Sequence, residues 1–145
     1  MPNLCQVEFI LFVQNQTASR DFYKSLLRRD PSLDVEGMTE FELMHNCKLG
    51  LMPNRGAGRI LSNKALDPAS GIGIPRCELY LTVDDVALEY ANATDCGARL
   101  ISPISSRDWG DTVCYFADPD GHIIAFAQRN ILSQERVLRS QKSES

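Results

Sequence analysis

Two carboxylates stand where strands tolerate few charges. Glu8 interrupts the apolar stretch from Gln6 to Val13, and Glu78 interrupts Cys77–Val83 (CELYLTV). An acid on a partly buried strand needs hydrogen bonds or a cation, or it takes up a proton. Such a residue can anchor a ligand, act as a general base on a carbon next to a carbonyl, or ligate a divalent metal. Strand alternation puts Glu8, Ile10 and Phe12 on one face and Val7, Phe9, Leu11 and Val13 on the other. In the same way Glu78, Tyr80 and Thr82 oppose Cys77, Leu79, Leu81 and Val83. The uniformly apolar sets suit packing on helices, and the mixed sets suit the wall of a ligand cavity. A solvent-facing edge glutamate is the competing reading. Trp109 lies in a loop before Gly110 and offers a stacking platform; Tyr80 and Tyr115 offer further rings, with core packing as the alternative. The candidate ligand-binding set is Glu8, Phe12, Glu78, Tyr80, Trp109 and Tyr115.

Other chemistries have little to build on. The chain of 145 residues holds two histidines, His45 and His122, and imidazole is the commonest transition-metal ligand. Its five cysteines, at 5, 47, 77, 96 and 114, contain no Cys-x-x-Cys pair and read as reduced, mostly buried thiols. Cys114 has no histidine placed by motif to activate it. Gly56-x-Gly58 and Gly71-x-Gly73 lack the Gly-Lys-Ser/Thr of a phosphate loop. Arg28-Arg29 reads as a solvated helix end. With 15 basic and 19 acidic residues the net charge is -4, which argues against an extended nucleic-acid surface. The run Phe9–Val13 is far short of the ~20 residues that span a bilayer. The start, Met1-Pro2-Asn3-Leu4-Cys5, lacks a basic, long-apolar leader, so a cytoplasmic protein without a membrane partner is expected.

The elements that must position these residues follow from pattern. Residues 6–13 predict a strand buried on both faces. Asn15 or Thr17 caps a helix carrying Ala18, Phe22, Leu26 and Leu27 at helical spacing, which Asp30-Pro31 stops. Short strands are predicted at 32–36, 39–45 and 48–52, with His45 at a turn. Residues 53–76, with Pro68 and four glycines, read as a connector or mobile loop. Residues 77–83 form a strand. Asp84-Asp85 cap a helix through Val86, Tyr90 and Ala93, which Gly97 ends at its C′ position. Strands follow at 99–102, 111–117 and 122–128. Asp118-Pro119-Asp120-Gly121 is a turn in which Gly121 takes positive φ. The tail, 129–145, is polar; a helix through Ile131, Leu132, Val137 and Leu138 and a frayed coil are equal alternatives.

The halves repeat: strand, helix, three strands. An offset of 70 residues superposes Glu8 on Glu78, Val13 on Val83 and Asn15 on Asp85. The stretch Thr17-Ala18-Ser19-Arg20-Asp21-Phe22-Tyr23 resembles the opening of the vicinal oxygen chelate superfamily. Trp109-Gly110 followed by Phe116-Ala117-Asp118-Pro119-Asp120-Gly121-His122-Ile123-Ile124 resembles its close. That superfamily holds glyoxalases, extradiol dioxygenases, fosfomycin-resistance enzymes and bleomycin-resistance binding proteins. The resemblance covers about residues 6–128 and implies an α+β fold of two βαβββ modules, each a curled sheet around a cavity. Module one would be 5–53, the connector 54–76, module two 77–128 and the tail 129–145.

Metal-dependent members of that superfamily place one ligand in the first and one in the last strand of each module. Carried over, those positions fall on Glu8, Leu51, Glu78 and Ala125, so two of four donors are missing. Strand alternation turns His122 away from the Ala125 face. The reading is therefore a metal-free, small-molecule-binding protein of the bleomycin-resistance type, without cofactor. Its partner would be a small organic ligand, and a homodimer is expected from the resemblance. The alternative is a lyase or isomerase resembling lactoylglutathione lyase, with Glu8 or Glu78 as general base and a divalent metal held by those two residues. A third option is an interaction module whose cavity is filled by its own side chains.

Overall fold

Each half of the chain folds so that its first strand lies parallel to its last. In the computed structural model, which describes residues 2–130, β1 (Val7–Val13) pairs in parallel with β4 (Cys47–Pro53), aligning Glu8 with Lys48 and Ile10 with Gly50. Strand β3 (Met38–Met44) runs antiparallel to β4, and β2 (Leu33–Val35) antiparallel to β3, giving the order β1-β4-β3-β2. The second sheet repeats this as β5-β8-β7-β6, from β5 (Glu78–Thr82), β6 (Arg99–Ser106), β7 (Asp111–Ala117) and β8 (Ile123–Arg129). The α+β fold of two βαβββ modules is therefore present. The expected tail helix lies outside the described residues, as does the rest of the tail beyond Asn130.

Both helices that bridge first and second strands are started by the residues that the offset of 70 superposes. Asn15 Oδ1 accepts from Ala18 N at 3.0 Å to open α1 (Gln16–Leu27), and Asp85 Oδ1 accepts from Leu88 N at 3.2 Å to open α3 (Val86–Asp95). Each bond satisfies an otherwise orphaned donor of the first turn. Asn15→Ala and Asp85→Ala are each expected to lower stability by about 1 kcal/mol, read from urea midpoints. An unchanged midpoint would show that water replaces the cap. Helix α1 ends on Arg28 in the left-handed region at φ 52, and α3 is followed by Gly97 at φ +79, as expected for C′.

The central strands bury one face as alternation requires, but the start of each module's first strand does not: Val7, Phe9 and Cys77, expected to pack on helices, are exposed. In the first sheet Val13, Phe41, Leu49 and Leu51 are inaccessible, with Tyr23 and Leu26 of α1 equally buried. In the second, Cys114, Phe116, Ile124 and Phe126 are buried, and Tyr90 of α3 lies 5.5 Å from the Phe116 ring. Burial of such side chains supplies the main favourable free energy of folding.

Three expectations need correction. Strand β1 is not buried on both faces: it is the sheet's edge, with Val7, Phe9 and Ile10 exposed. Its apolar run mimicked the interior of a parallel sheet, but only one parallel partner exists. Residues 53–76 are not simply loop: Asn54–Leu61 forms α2, followed by single 3-10 turns at Ser62–Lys64 and Pro68–Gly71. Gly56 and Gly58 lie inside that helix, where propensity alone argued for a break. Strand β6 continues past Pro103 to Ser106, because an edge strand with a register shift between Ser102 and Ser105 can hold a residue lacking an N–H.

The chain divides into two compact units. One runs to Ile74 and takes in Pro119–His122; the other takes Pro75–Asp118 and the chain from Ile123. Among the described residues no helix is long and apolar enough to cross a membrane.

Candidate functional site

In the first unit the mixed face of the sheet gathers a carboxyl pair. Register sets Glu8 beside Lys48 and Glu40 beside Gly50, so Glu8 and Glu40 meet over the one residue without a side chain. A Cβ added at Gly50 would sit 2.8 Å from Glu8 Oε1 and 3.1 Å from Ile10 Cγ1. Glycine is therefore what lets the Glu8 carboxyl lie against the sheet. The hydrogen bond with Glu40 and burial, reinforced by the Glu40 charge, push Glu8 up from its ordinary 4.5 to about 7, while Lys48 pulls the other way. Lys48 Nζ lies 3.7 Å from Glu40 Oε1. Glu8 Oε1 is buried with no hydrogen-bond partner. The arrangement can hold a proton near neutral pH and present it to whatever reaches this face. Phe12 shares the face and is half-buried; its carbonyl accepts from His122 Nε2 at 2.8 Å, which assigns the proton of that ring to Nε2.

In the second unit the mixed face is aromatic. Tyr80 pairs with Ala125 and Ala125 with Tyr115 across three strands, so both rings lie over Ala125, which with Val113 and Ala127 forms a buried apolar floor. Tyr80 Oη donates to Asp111 Oδ2 at 2.6 Å and accepts from Trp109 Nε1 at 2.9 Å. Burial and the Asp111 carboxylate push the Tyr80 phenol up to about 12, so it stays protonated and holds both partners. Trp109 is 59% exposed, and its indole is nevertheless tied at one end. Arg107 lies over the Tyr115 ring, its guanidinium carbon 5.3 Å from the centroid.

The sequence-derived residues thus fall into two groups. Tyr80, Trp109 and Tyr115 come together in the second unit; Glu8 and Phe12 share a face of the first. Glu78 is exposed, and its carboxylate forms no hydrogen bond or ion pair with a described residue. Glu40, Lys48, Arg107 and Asp111 went unnoticed in the sequence, where each is an ordinary charge; only strand register brings the first two to Glu8 and the last two to the aromatic face of the second unit. The reading of the five thiols as mostly buried is corrected: Cys5 and Cys77 are exposed, Cys47 and Cys96 half-buried, and Cys114 alone is inaccessible, contacting the Phe126 carbonyl with its pKa raised by burial.

The four positions carried over for a metal do not supply a donor set. Leu51 is on the helix-packing face and inaccessible, one step off the Glu8 face that Gly50 and Met52 share. Ala125 does face the Tyr80 side, as alternation requires, and brings no donor. Glu8 is already engaged in a hydrogen bond with Glu40. Among the described residues no group of three or more His, Cys, Asp or Glu converges to hold a metal, whereas catalytic zinc sites want three protein ligands.

Comparison with known proteins agrees with this architecture. The family model for the glyoxalase-like domain matches residues 6–129. The chain belongs to the glyoxalase-like domain family, within the vicinal oxygen chelate superfamily. An uncharacterized protein of Mycobacterium bovis is 32% identical over 72 residues, which is 50% of this chain and 47% of that protein. A Mycobacterium tuberculosis counterpart matches at the same identity over 42% of its length, so the chain spans under half the length of these curated relatives. Among solved structures, a glyoxalase-related enzyme from Fulvimarina pelagi has a TM-score of 0.73 at 22% identity, covering 87% of this chain and 89% of that one. A glyoxalase/bleomycin resistance protein/dioxygenase from Nocardioides has a TM-score of 0.71 at 17% identity, covering 90% and 87%. At these identities the likeness is one of fold.

Proposed function

We propose that the chain binds a small organic molecule, without a metal, on the aromatic face of its second unit. The supporting observation is Trp109: a largely exposed indole held in one orientation through Tyr80 and, beyond it, Asp111. A fixed, exposed ring beside two tyrosines packed on an alanine and valine floor offers contact area at little cost in lost side-chain freedom. Membership of a family that includes binding proteins as well as enzymes accords with this reading. Trp109 is the only tryptophan, so its emission reports directly on the site. In a screen of antibiotics, aromatic metabolites and glutathione conjugates, a ligand should shift that emission and the melting temperature together. Trp109→Ala should then weaken its binding about fivefold, read by calorimetry. Binding indifferent to that substitution, or stoichiometric tight metal in protein purified without chelator, would overturn the proposal.

A second reading is favoured by the Glu8–Glu40 pair. A carboxyl that titrates near 7 is matched to proton transfer at neutral pH, as a lyase or isomerase acting next to a carbonyl requires. In that case turnover, once a substrate is found, should vanish in Glu8→Gln while the fold persists.

A further inference from the structure

We propose that Arg107 and Ser102 form an anion-recognition site beside Trp109, so that the ligand of the aromatic face is a planar organic anion carrying a carboxylate or sulfonate. The inference rests on the reading of Trp109 given above and extends it to the ligand's chemical class.

The turn joining β6 to β7 is braced at several points. Arg107 N donates to the Asp111 carbonyl at 2.7 Å, Gly110 N to the Arg107 carbonyl at 3.1 Å, and Asn130 N to the Gly110 carbonyl at 3.0 Å. The same turn therefore fixes Arg107 and Trp109, two residues apart. Ser102 pairs with Tyr115 across the strands, and Arg107 spans both: it stacks on the ring and donates from Nη2 to Ser102 Oγ at 3.0 Å.

Among the described residues this guanidinium has no acceptor of opposite charge. The chain has 19 acidic residues, yet none of those described forms an ion pair with Arg107. The acids nearest in the chain are otherwise engaged: Asp111 takes the Tyr80 hydroxyl, and Asp108 is exposed to water. Arg107 Nε is buried and has no hydrogen-bond partner. A half-buried arginine whose one side-chain hydrogen-bond partner among the described residues is a neutral serine favours an incoming oxyanion. A carboxylate can accept two parallel bonds from the planar fork at its terminal Nη atoms. Stacking on Tyr115 holds the fork in plane, leaving the ligand's ring system free to lie on Trp109.

The test compares 2-naphthoate with neutral 2-naphthamide by isothermal titration calorimetry at low ionic strength. The native chain should bind the naphthoate about tenfold more tightly. Arg107→Gln should abolish that preference while leaving naphthamide affinity within about twofold, which also shows that the site is still folded. Should that variant not fold, Arg107→Lys, which keeps the charge and loses the fork, should cut the preference severalfold. Equal affinity for the two probes in the native chain, or equal weakening of both by Arg107→Gln, would overturn the anion site. If naphthamide still binds in a manner sensitive to Trp109→Ala, the aromatic reading survives that result. No binding of either probe at millimolar concentration overturns both.

Discussion

Gly121→Ala should lower the stability of the protein by about 3 kcal/mol, the largest effect expected of any single methyl added to this chain. Two causes add. Gly121 sits at φ +89, where an L side chain is strained, and an added Cβ would lie 2.9 Å from the Gly73 Cα, inside any real carbon–carbon contact. The obstruction is backbone, so no rotamer change relieves it. The turn around it is held by Asp120 Oδ1, which accepts from Gln14 N at 2.7 Å, and by the Asp120 carbonyl, which accepts from Gly73 N at 3.2 Å. Displacing Gly73 to admit the methyl strains these bonds too. Urea unfolding of the variant measures the loss; a loss below 1 kcal/mol would mean that the Gly73 segment yields freely.

Glu8→Gln should instead raise stability, by an amount that grows as pH rises from about 4.5 to about 7. The folded Glu8 titrates near 7 against an ordinary 4.5, so between those values the folded chain holds a proton that the unfolded chain has released. Stability from this group is complete below about pH 4.5 and is lost as pH rises through about 7. Taken at face value the shift corresponds to about 3 kcal/mol; water at the partly exposed side chain screens the repulsion, so about 1–2 kcal/mol is expected. Glutamine keeps a hydrogen-bond donor toward Glu40 and carries no charge. The variant should match the native chain at pH 4.5, exceed it by that amount at pH 8, and show a flatter pH dependence. Parallel pH profiles for the two proteins would show that the pair relaxes apart in solution.

How much of this could be read beforehand depended on whether the signal was local. Asn15 and Asp85 cap their helices through residues three positions on, and Gly121 turns within four, so those features were legible. The placement of Tyr80 followed from alternation and that of Ala125 from the turn that sets the register, whereas Tyr115 read equally as cavity wall or core. Glu40 and Arg107 could not be found this way. Glu40 reaches Glu8 across an intervening strand, through a pairing of β3 with β4 that contains a bulge between Glu42 and Met44. Arg107 reaches Tyr115 past an irregular β6 whose length Pro103 disguised. Helix α2 was hidden because its glycines argue locally for a loop, and burial of Ala57 on one side of it is a property of the fold.

The parallel closure of each sheet also bears on the order in which the chain can fold. Val7 has no sheet partner until Cys47 has been made, and Glu78 none until Ile123. Helix, hairpin and loop must be laid down before the opening strand of a module gains its first ladder bond. The cost of closing such a loop is met before any reward arrives, which slows folding relative to a meander of the same length. During synthesis the apolar edge of β1, with Val7, Phe9 and Ile10 exposed even in the finished protein, stays without its partner until β4 has been made. Truncation ahead of β4 would therefore leave a sticky strand rather than half a protein.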